Sequence, residues 1–564
     1  MNLFGCEHRA TREYLCPLAP DTLEFRLFTE VRAKDVVLHY FKRNTVDFNE
    51  IPMVCNLFTC ERKLWESTVV FPERVHYIKY YFELETESGT RLFLNEIGLS
   101  KDVPSDGFFE FLCVGSMDSL VVPRWAEGIV FYQIFPDSFA SVGQRRMEDM
   151  HPWESIPDSR YFGGNLKGIE SKIPYLKDLG VGCVYLNPIF KAEFNHKYAT
   201  IDYFEIDEGF GNKEDFRSLV KSLHSEGIRI VLDGVFNHTS TRFHAFDDVV
   251  RNEKASKYID WFYFDSFPVS QDPLNYMCVG DYCYMPKLNT GNLEVQAFIL
   301  SVMEYWIEEF EIDGWRLDVA DEVEPLCWSF IRRSLKMKHP NALLLGECWS
   351  DAYRIVGDGN QLDISMNYLF RNACLGFFAK NGSAHRFAED ISNLLMRYHK
   401  RTNKANFNLL GSHDTERFLT SCGMDEDRLR LAIAFQMFFI GSPSIYYGDE
   451  VGMSGGNDPL CRAGMRWCDA NSKLHDYVRG LVHFRNESEI VKHGDFRQLY
   501  VSESQGIYIF IRFNATDCIG FAFNSSEEDQ IVDDRSVLDY FGISSLKING
   551  KSYQILHRNT GGMK

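Results

Sequence analysis

Polar and ionisable residues interrupt several apolar runs of this chain, and most of them lie near the end of a run. "IRIVL", for example, is followed by Asp233, and "ALLLG" is followed by Glu347. Ionised side chains are rarely buried unless they are paired, so residues of this type in apolar runs indicate a site rather than core packing. The residues in question are Asp233, Asn237, His238, Arg316, Asp318, Glu347, His413 and Asp414.

Carboxylates are the commonest residues in this set, and the absence of other catalytic motifs limits the reactions that they could catalyse. No Cys/His cluster has zinc-ligand spacing, and neither a GxSxG segment nor a Walker-type glycine-rich loop occurs. Cleavage of a glycosidic bond needs one ionised carboxylate to attack or stabilise an oxocarbenium-like centre. It also needs one protonated carboxyl group to protonate the leaving oxygen. The residue types therefore predict glycosidic bond cleavage.

Two of the acids can be given roles from their neighbours. Arg316 is two residues from Asp318, so in a strand both side chains lie on one face, and the guanidinium charge favours an ionised Asp318. That makes Asp318 the predicted nucleophile. Glu347 follows three leucines and precedes Trp349, an apolar setting that suits the proton donor.

The elements that would position these residues form a regular series. Eight short apolar runs alternate with stretches of helical periodicity over about 320 residues, which is the count for a (β/α)8 barrel. The carboxyl ends of such strands converge on one face, where we expect the site. The eight runs are 128–134, 181–188, 228–236, 312–320, 342–349, 362–368, 407–414 and 443–450.

The remaining chain is β-like on both sides of this series. Short β-branched and aromatic runs separated by polar turns predict an N-terminal β-sandwich over 1–122, and similar runs predict a C-terminal β-sandwich over 486–564. The predicted α/β barrel spans 123–485. The interval 239–290 is too long for a plain loop and predicts a small subdomain inserted after the third strand.

Composition limits the partners. The chain has 564 residues, 45% of them apolar and 25% charged, as in soluble globular proteins. Its net charge of −20 argues against nucleic acid or an anionic membrane and suits an uncharged substrate. Fifteen cysteines without metal spacing, no secretory signal and no long apolar run favour a cytoplasmic location.

Four segments carry a resemblance to a known family. "DGVFNH", "GWRLDVA", "GECW" and "GSHDTER" are similar, in order and spacing, to the main motifs of the α-amylase family of retaining glycoside hydrolases. The resemblance implies Asp318 as nucleophile, Glu347 as general acid/base and Asp414 as a third acid that grips the sugar. "NHKYATIDYF" (195–204) resembles the segment that places an aromatic ring under that sugar. The predicted substrate-binding residues are His196, Tyr198, Asp233, His238, Arg316, Trp349, His413 and Arg417.

Further segments resemble one subgroup of that family. "MPKLNTGN" (285–292) and "GGNDPLCRAGMRW" (455–467) are similar to neopullulanases, cyclomaltodextrinases and maltogenic amylases. This implies hydrolysis of α-1,4 and some α-1,6 bonds in cyclodextrins, maltooligosaccharides and pullulan, with possible transglycosylation. It also implies a starch-binding-like N-terminal module that forms a homodimer, and an intracellular enzyme.

The chain departs from the subgroup at three places. Relatives often hold calcium with Asn and Asp after "FPDRFA" and with a later "GGD" segment, whereas this chain has "SVGQ" after "FPDSFA" and Asn165 in "FGGN". Because calcium prefers several carboxylate and carbonyl oxygens, we expect no metal cofactor there. Ala199 and Asp321 stand where many relatives have Asp and Asn, which could alter the acceptor side.

Two other functions remain open at the level of sequence. An α-glucosyltransferase or isomerase acting on sucrose, maltose or trehalose would need the same acids. An ancillary subunit of an amino-acid transporter would need a membrane anchor and tolerates a degraded acid set, so it fits less well. The N-terminal module can also be a packing or dimerisation domain without sugar binding, because Trp65 is its only tryptophan.

Overall fold

The computed structural model describes most of the chain. The described residues are 5–45, 48–115, 121–143, 150–153, 155–158, 160–357, 359–468 and 471–558.

Two antiparallel sheets form the N-terminal part. One has the order β1-β3-β7-β6 with β2 beside β3, and the other has the order β10-β9-β8-β4-β5 with β11 beside β8. Alternate residues of one central strand, Ile78, Tyr80, Phe82 and Leu84, belong to the core between the sheets, as the two-residue period of a strand requires. The strands are β1 (Cys6–Glu7), β2 (Leu15–Ala19), β3 (Thr22–Glu30), β4 (Ala33–Lys42), β5 (Asn49–Pro52), β6 (Val54–Phe58), β7 (Arg62–Val70), β8 (His76–Thr86), β9 (Arg91–Leu94), β10 (Leu99–Ser100) and β11 (Phe109–Cys113).

The next strands build the predicted barrel. They are β12 (Phe131–Ile134), β13 (Cys183–Leu186), β14 (Phe190–Ala192), β15 (Thr200–Ile206), β16 (Arg229–Gly234), β17 (Gly314–Leu317), β18 (Leu343–Gly346), β19 (Ile364–Ser365), β20 (Phe407–Leu409) and β21 (Ser442–Tyr446). Eight of them pair in parallel in the order β19-β18-β17-β16-β13-β12-β21-β20. A parallel bridge between Met366 and Phe407 joins the two ends of this sheet, so the ring closes. The predicted (β/α)8 architecture is confirmed.

The other two strands, β14 and β15, form an antiparallel pair that the sequence did not predict. They follow β13 and hold the segment 193–199 between them. This hairpin therefore stands at the carboxyl face of the barrel.

Helices surround the ring. Two of the longer ones begin with an Asn side chain that accepts backbone N–H groups of the first turn, Asn212 before α4 and Asn292 before α6. Within the described part of the chain, no helix is both long and apolar enough to cross a membrane. The helices are α1 (Pro136–Phe139), α2 (Leu166–Ser171), α3 (Ile173–Leu179), α4 (Lys213–Ser225), α5 (His244–Asn252), α6 (Leu293–Phe310), α7 (Pro325–Lys338), α8 (Tyr353–Val356), α9 (Tyr368–Cys374), α10 (Ala384–Arg397), α11 (Lys400–Ala405), α12 (Phe418–Ser421), α13 (Glu426–Phe438), α14 (Ser472–Glu487) and α15 (Glu489–His493).

The insertion after the third barrel strand is a compact unit. It contains α5 and is closed by short bridges between Phe262 and Leu288 and between Cys278 and Pro286. A third bridge, between His238 and Lys287, joins "MPKLN" to the barrel mouth.

The C-terminal part consists of two antiparallel sheets and a helix. The four-stranded sheet has the order β22-β23-β24-β27, and β25 pairs with β26. The boundary suggested after residue 485 lies inside α14, because this helix still packs on the barrel helices α3 and α13. The elements are β22 (Asp495–Ser502), β23 (Ile507–Phe513), β24 (Cys518–Asn524), β25 (Gln530–Val532), α16 (Arg535–Phe541), β26 (Leu546–Ile548) and β27 (Ser552–His557).

A buried ionic cluster joins the N-terminal sheets to the barrel. Glu24 Oε2 lies 2.6 Å from His399 Nδ1, and both side chains are fully buried. Beside them Arg26 donates to the carbonyl of Met396 at 2.6 Å. Although burial opposes it, contact with Cys16 and Glu24 raises the pKa of His399 to about 10. Despite burial, His399 lowers the pKa of Glu24 to about 2.

Replacing Glu24 by Gln is expected to destabilise this junction by about 3 to 5 kcal/mol, because it leaves a buried cation without its partner. The His399 contribution is fully present below its ordinary pKa of 6.5 and is lost as the pH rises toward 10. The Glu24 contribution is present above 4.5 and is lost as the pH falls toward 2. The difference in unfolding temperature between wild type and E24Q should therefore be largest between pH 4.5 and 6.5.

Glu85→Gln is the matched control. Glu85 pairs with Lys34 at 3.2 Å on the exposed sheet surface, where an ion pair contributes less than about 1 kcal/mol. Calorimetric scans at pH 5.5 and pH 9 check both variants. An E24Q difference that does not shrink at pH 9 contradicts the assignment.

Candidate active site

Three carboxylates converge on one arginine at the carboxyl face of the barrel. Arg316 Nη1 lies 2.8 Å from Asp233 Oδ1 and 2.9 Å from Asp318 Oδ1, and Nη2 lies 2.8 Å from Glu347 Oε1. The register explains the meeting, because Asp233 and Arg316 are direct partners in neighbouring parallel strands. Arg316 is opposite Leu345, two residues before Glu347. All four side chains are buried.

The backbone after Asp318 is unusual. Val319 has φ = 44°, a region that a β-branched residue rarely adopts and that marks local strain. In this conformation the Val319 N–H donates to Glu347 Oε2 at 2.9 Å. The turn thus ties the strand end of Asp318 to the carboxylate of Glu347.

Asp318 keeps one oxygen available for chemistry. Its Oδ1 contacts Arg316, whereas Oδ2 is buried and makes no hydrogen bond to a described residue. An unsatisfied buried carboxylate oxygen is costly, which indicates that this atom has a functional role. Its position beside Arg316 fits a nucleophile.

Asp414 contacts one arginine and one histidine. Its Oδ1 lies 3.1 Å from Arg462 Nη2, and its Oδ2 lies 3.0 Å from His413 Nε2. Arg462 also donates to the carbonyl of His413 at 2.8 Å. Arg462 thereby fixes the end of the seventh barrel strand.

Tyr198 connects the acids to the histidines. Its hydroxyl donates to Asp233 Oδ2 at 2.9 Å and contacts His413 Nε2, and the two rings are nearly parallel with centroids 5.5 Å apart. Tyr185 also donates to Asp233 Oδ2, at 2.6 Å. The second oxygen of Asp233 is therefore satisfied by phenols while its first oxygen contacts Arg316.

Burial keeps the site histidines neutral. It lowers the pKa of His238 to about 4 and that of His196 to about 3. Burial also lowers the pKa of His413 well below its usual range, aided by the charges of Arg462 and Arg316. Neither ring nitrogen of His238 makes a hydrogen bond to a described residue. Neutral imidazoles with free nitrogens suit the hydroxyl groups of an uncharged ligand.

Burial and neighbouring charge raise the pKa values of two acids in this cluster. Burial, and then the charge of Glu347, raises the pKa of Asp318, although Arg316 opposes the shift. Burial and the charge of Glu347 also raise the pKa of Asp414, to about 7. Because Glu347 contributes to both shifts, placing a proton on Glu347 lowers the pKa of both aspartates. Burial and the charge of Glu347 thus oppose the ionisation of both aspartates, and the charge of Arg316 favours it.

An aromatic pair borders the Glu347 side. Trp349 Nε1 donates to Glu347 Oε1 at 3.2 Å, and its ring stacks on Tyr368 with centroids 4.0 Å apart. Trp349 is half exposed. This pair forms an open platform next to Glu347.

The segment "MPKLN" reaches the mouth of the site through one lysine. Lys287 Nζ lies 2.6 Å from Asn237 Oδ1 and 2.9 Å from Glu322 Oε2. Asn237 precedes His238, and Glu322 is four residues after Asp318. This ion pair joins the insertion to two barrel strands at the site.

The structure brings all the predicted site residues together except Arg417. Arg417 is fully buried and bonds to Asp449 at 2.8 Å and to the carbonyls of Tyr447 and Cys461. None of its described contacts is to the acids of the site, because Arg417 caps α12 and its guanidinium points to residues that follow the eighth barrel strand. Arg462 makes the contact to Asp414 instead. In the sequence, the segment 455–467 indicated the region of Arg462 but did not single out Arg462 itself.

The candidate calcium positions are already occupied by backbone groups. Asn165 Oδ1 accepts the N–H of Gly168 at 2.7 Å, and Asn165 Nδ2 donates to the carbonyl of Val142 at 3.1 Å. Both oxygens of Asp137 accept backbone N–H groups. Among the described residues, no group of three or more His, Cys, Asp or Glu side chains could hold a metal ion.

Replacing Arg316 by Met is expected to cost about 3 to 5 kcal/mol of stability near neutral pH, because three buried carboxylates lose their shared cation. Without that charge the folded-state pKa values of the acids rise, so the folded state gains protons and the loss shrinks as the pH falls. Thermal unfolding at pH 5 and pH 8 measures the effect. Arg479→Met, which breaks an exposed pair with Asp178 at 3.2 Å, is the control, with a loss under about 1 kcal/mol. An R316M loss that grows on acidification contradicts the account.

Comparison with known families gives matches over both main parts of the chain. Residues 133–493 match the catalytic domain of alpha amylases, and residues 1–115 match the N-terminal ig-like domain of alpha amylases.

Individual relatives extend over almost the whole length. A cyclomaltodextrinase of Geobacillus thermopakistaniensis (strain MAS1) is 39% identical over 537 residues, covering 92% of this chain and 91% of that protein. Neopullulanase 2 of Thermoactinomyces vulgaris is 40% identical over 467 residues, covering 81% and 79%. A solved structure of a cyclomaltodextrinase has a TM-score of 0.91 and 32% identity, covering 98% of this chain and 99% of that one.

Proposed function

The chain belongs to the alpha-amylase family of glycoside hydrolases, and from this membership we propose that it hydrolyses α-1,4-glucosidic bonds, and some α-1,6 bonds, in cyclodextrins, maltooligosaccharides and pullulan. The single observation that carries the reaction type is the sharing of Arg316 by Asp233, Asp318 and Glu347. The names of the relatives, cyclomaltodextrinase and neopullulanase, support the substrate class.

In the first step Asp318 Oδ2 attacks the anomeric carbon of the bound glucosyl unit. The bond from that carbon to the leaving oxygen breaks, and Glu347 gives its proton to this oxygen. As Glu347 becomes ionised, Arg316 Nη2 and the Val319 N–H stabilise the new charge. The product is a glucosyl ester on Asp318 and a released sugar with a free hydroxyl.

In the second step Glu347 acts as a base. It takes a proton from water, the water oxygen bonds to the anomeric carbon, and the ester bond to Asp318 breaks. Two inversions give a product with the original α configuration. A sugar hydroxyl in place of water gives transglycosylation by the same route.

The other site residues bind rather than react. Asp414, fixed by Arg462 and His413, is placed to accept hydrogen bonds from sugar hydroxyls. His238 offers unpaired ring nitrogens, and Tyr198 supplies an aromatic face. Because these groups are neutral or paired, they suit an uncharged glucan.

A substrate panel tests the proposal. Product analysis with β-cyclodextrin, maltotriose, pullulan, sucrose and trehalose separates hydrolysis of α-glucans from the competing function of an α-glucosyltransferase or isomerase. Glucose and maltose released from β-cyclodextrin support hydrolysis. Isomerised disaccharides from sucrose or maltose, without cleavage of cyclodextrin, reject it.

We also propose that the protein needs no calcium. The engagement of Asn165 and Asp137 with backbone groups supports this. Chelation with EDTA is expected to leave both the unfolding temperature and the activity unchanged. A stoichiometric, stabilising calcium ion found by metal analysis contradicts it.

We propose that the protein is located in the cytoplasm. Fifteen free cysteines support a reducing cytoplasm, and one relative is named an intracellular maltogenic amylase of Bacillus subtilis (strain 168). We propose a homodimer formed through the N-terminal sheets, where Phe48 and Tyr77 are exposed. Light scattering of the full chain measures its mass, and a monomer at micromolar concentration rejects the dimer.

A further inference from the structure

A continuous series of aromatic rings leads from the site toward the protein surface. It begins at Tyr198 and continues through His196, Phe194, Tyr284 and Tyr282. Consecutive ring centroids in this series are between 4.7 and 5.9 Å apart. We call the three outer rings, Phe194, Tyr284 and Tyr282, the aromatic rim.

The aromatic rim is assembled from two separate segments. Phe194 lies in the loop between β14 and β15, whereas Tyr282 and Tyr284 lie in the insertion just before "MPKLN". Phe194 and Tyr284 meet with centroids 4.7 Å apart. Yet Phe194 is 36% exposed and Tyr282 is 55% exposed, so packing between the two segments leaves much of both rings open to solvent. Large exposed aromatics beside a catalytic centre indicate a binding surface.

The aromatic rim lies on the Asp414 side of the site. Arg462 contacts Asp414 at 3.1 Å and Asp458 at 2.8 Å. Tyr198, where the series begins, packs on His413 with ring centroids 5.5 Å apart, and His413 Nε2 lies 3.0 Å from Asp414 Oδ2. The leaving sugar must lie beside the proton donor Glu347. The rim is therefore placed to contact the part of a glucan that stays bound to the enzyme after cleavage.

The ring planes turn along the series. The planes of Tyr282 and Tyr284 differ by 59°, and those of Tyr284 and Phe194 by 52°, whereas Phe194 and His196 differ by 9°. Sugar rings pack their C–H faces on aromatic rings, as other flat apolar faces do. A surface whose planes turn suits a curved, α-linked chain better than a flat, extended one.

We propose that the aromatic rim binds α-linked glucosyl units beyond the bond that is cleaved, on the side away from the leaving sugar, and so sets a preference for longer α-glucans. This inference rests on the proposed function and specifies its substrate. It assigns binding to Phe194 and Tyr282, which touch none of the reacting acids.

Binding to an inactive protein tests the proposal. In a Glu347→Gln background, isothermal titration calorimetry compares maltotriose with maltoheptaose before and after the double change Phe194→Ala and Tyr282→Ala. The loss of two stacking contacts is expected to raise the Kd for maltoheptaose about tenfold and the Kd for maltotriose less than about twofold. Cellohexaose, the flat β-linked control, is expected to show no binding that depends on the rim.

Phe330→Ala is the matched control, because Phe330 is 41% exposed on the outer helix α7. It should change neither Kd. Equal weakening for both glucans, or no weakening for maltoheptaose, overturns the proposal. The proposed function is tested separately by turnover: wild type that binds maltoheptaose through the rim but cleaves no glucan refutes the function and leaves the rim standing. Thermal unfolding confirms that the double variant is folded.

Discussion

Replacing Glu347 by Gln is expected to reduce kcat on maltotriose by about 10²- to 10⁴-fold, the range that general acid catalysis contributes. A glucosidic oxygen leaves slowly unless it is protonated, and the side-chain amide of the E347Q variant has no acidic proton to give. The amide is nearly isosteric, so its oxygen can keep the contact with Arg316 Nη2 that Glu347 makes at 2.8 Å. The Kd of maltotriose should therefore stay close to that of wild type, whereas the unfolding temperature should fall slightly, because the amide nitrogen cannot accept the Val319 N–H that Glu347 Oε2 accepts.

A substrate whose leaving group needs no proton distinguishes loss of acid catalysis from a general disturbance of the site. α-Maltosyl fluoride releases fluoride, which needs no proton, so its first step should be slowed far less in E347Q than that of maltotriose. Glu226→Gln, at an exposed position before β16 on the opposite face of the barrel, is the control and should be fully active. If the first step is slowed equally for both substrates in E347Q, Glu347 is not the proton donor. Full activity on maltotriose leads to the same conclusion.

Replacing Asp318 by Asn is expected to abolish turnover on every substrate, with a loss of about 10⁴-fold or more, because no bond to the anomeric carbon can form. Unlike E347Q, this variant gains nothing from a fluoride leaving group. Its stability should not fall near neutral pH. Burial and the charge of Glu347 raise the pKa of Asp318, so the ionised carboxylate is a cost to the folded state that the neutral amide of D318N removes.

A trapped intermediate identifies the nucleophile directly. A slowly hydrolysed 5-fluoro glucosyl fluoride should add one sugar mass to the peptide that contains Asp318 in wild type, and none in D318N. Asp321→Asn, three residues further along the chain, is the control and should still be labelled on Asp318. A label on any other acid refutes Asp318 as the nucleophile. A clear drop in the unfolding temperature of D318N contradicts the prediction that this variant is as stable as wild type.

The barrel could be predicted because its strands carry a strong local signal. Each of the eight runs is apolar on both faces, as a parallel strand between a packed interior and surrounding helices must be. The hairpin of β14 and β15 carried no such signal. β14 has only three residues, and register shifts flank the pair that Lys191 of β14 forms with Asp202 of β15. The pairing of the two strands therefore depends on contacts with the rest of the barrel mouth.

The site was predicted only as far as strand ends and motifs reach. Asp318, Glu347 and Asp414 follow from the types of residue at the ends of three strands, since those ends share one face. Arg417 was misplaced because it is close to Asp414 in sequence but turns away in space. Arg462, which contacts Asp414, is 48 positions away from it, and sequence separation gives no measure of a distance across a barrel.

The sequence by itself determined the strand count, the carboxylates and therefore the class of reaction, because periodicity and residue type are local properties. Only the tertiary structure decided how the charges are shared. It places one guanidinium among Asp233, Asp318 and Glu347, turns Val319 to φ = 44° so that its N–H meets Glu347, and joins two distant segments at Phe194 and Tyr284. These features arise from distances between groups far apart in the chain, and such distances are set by the closure of the barrel.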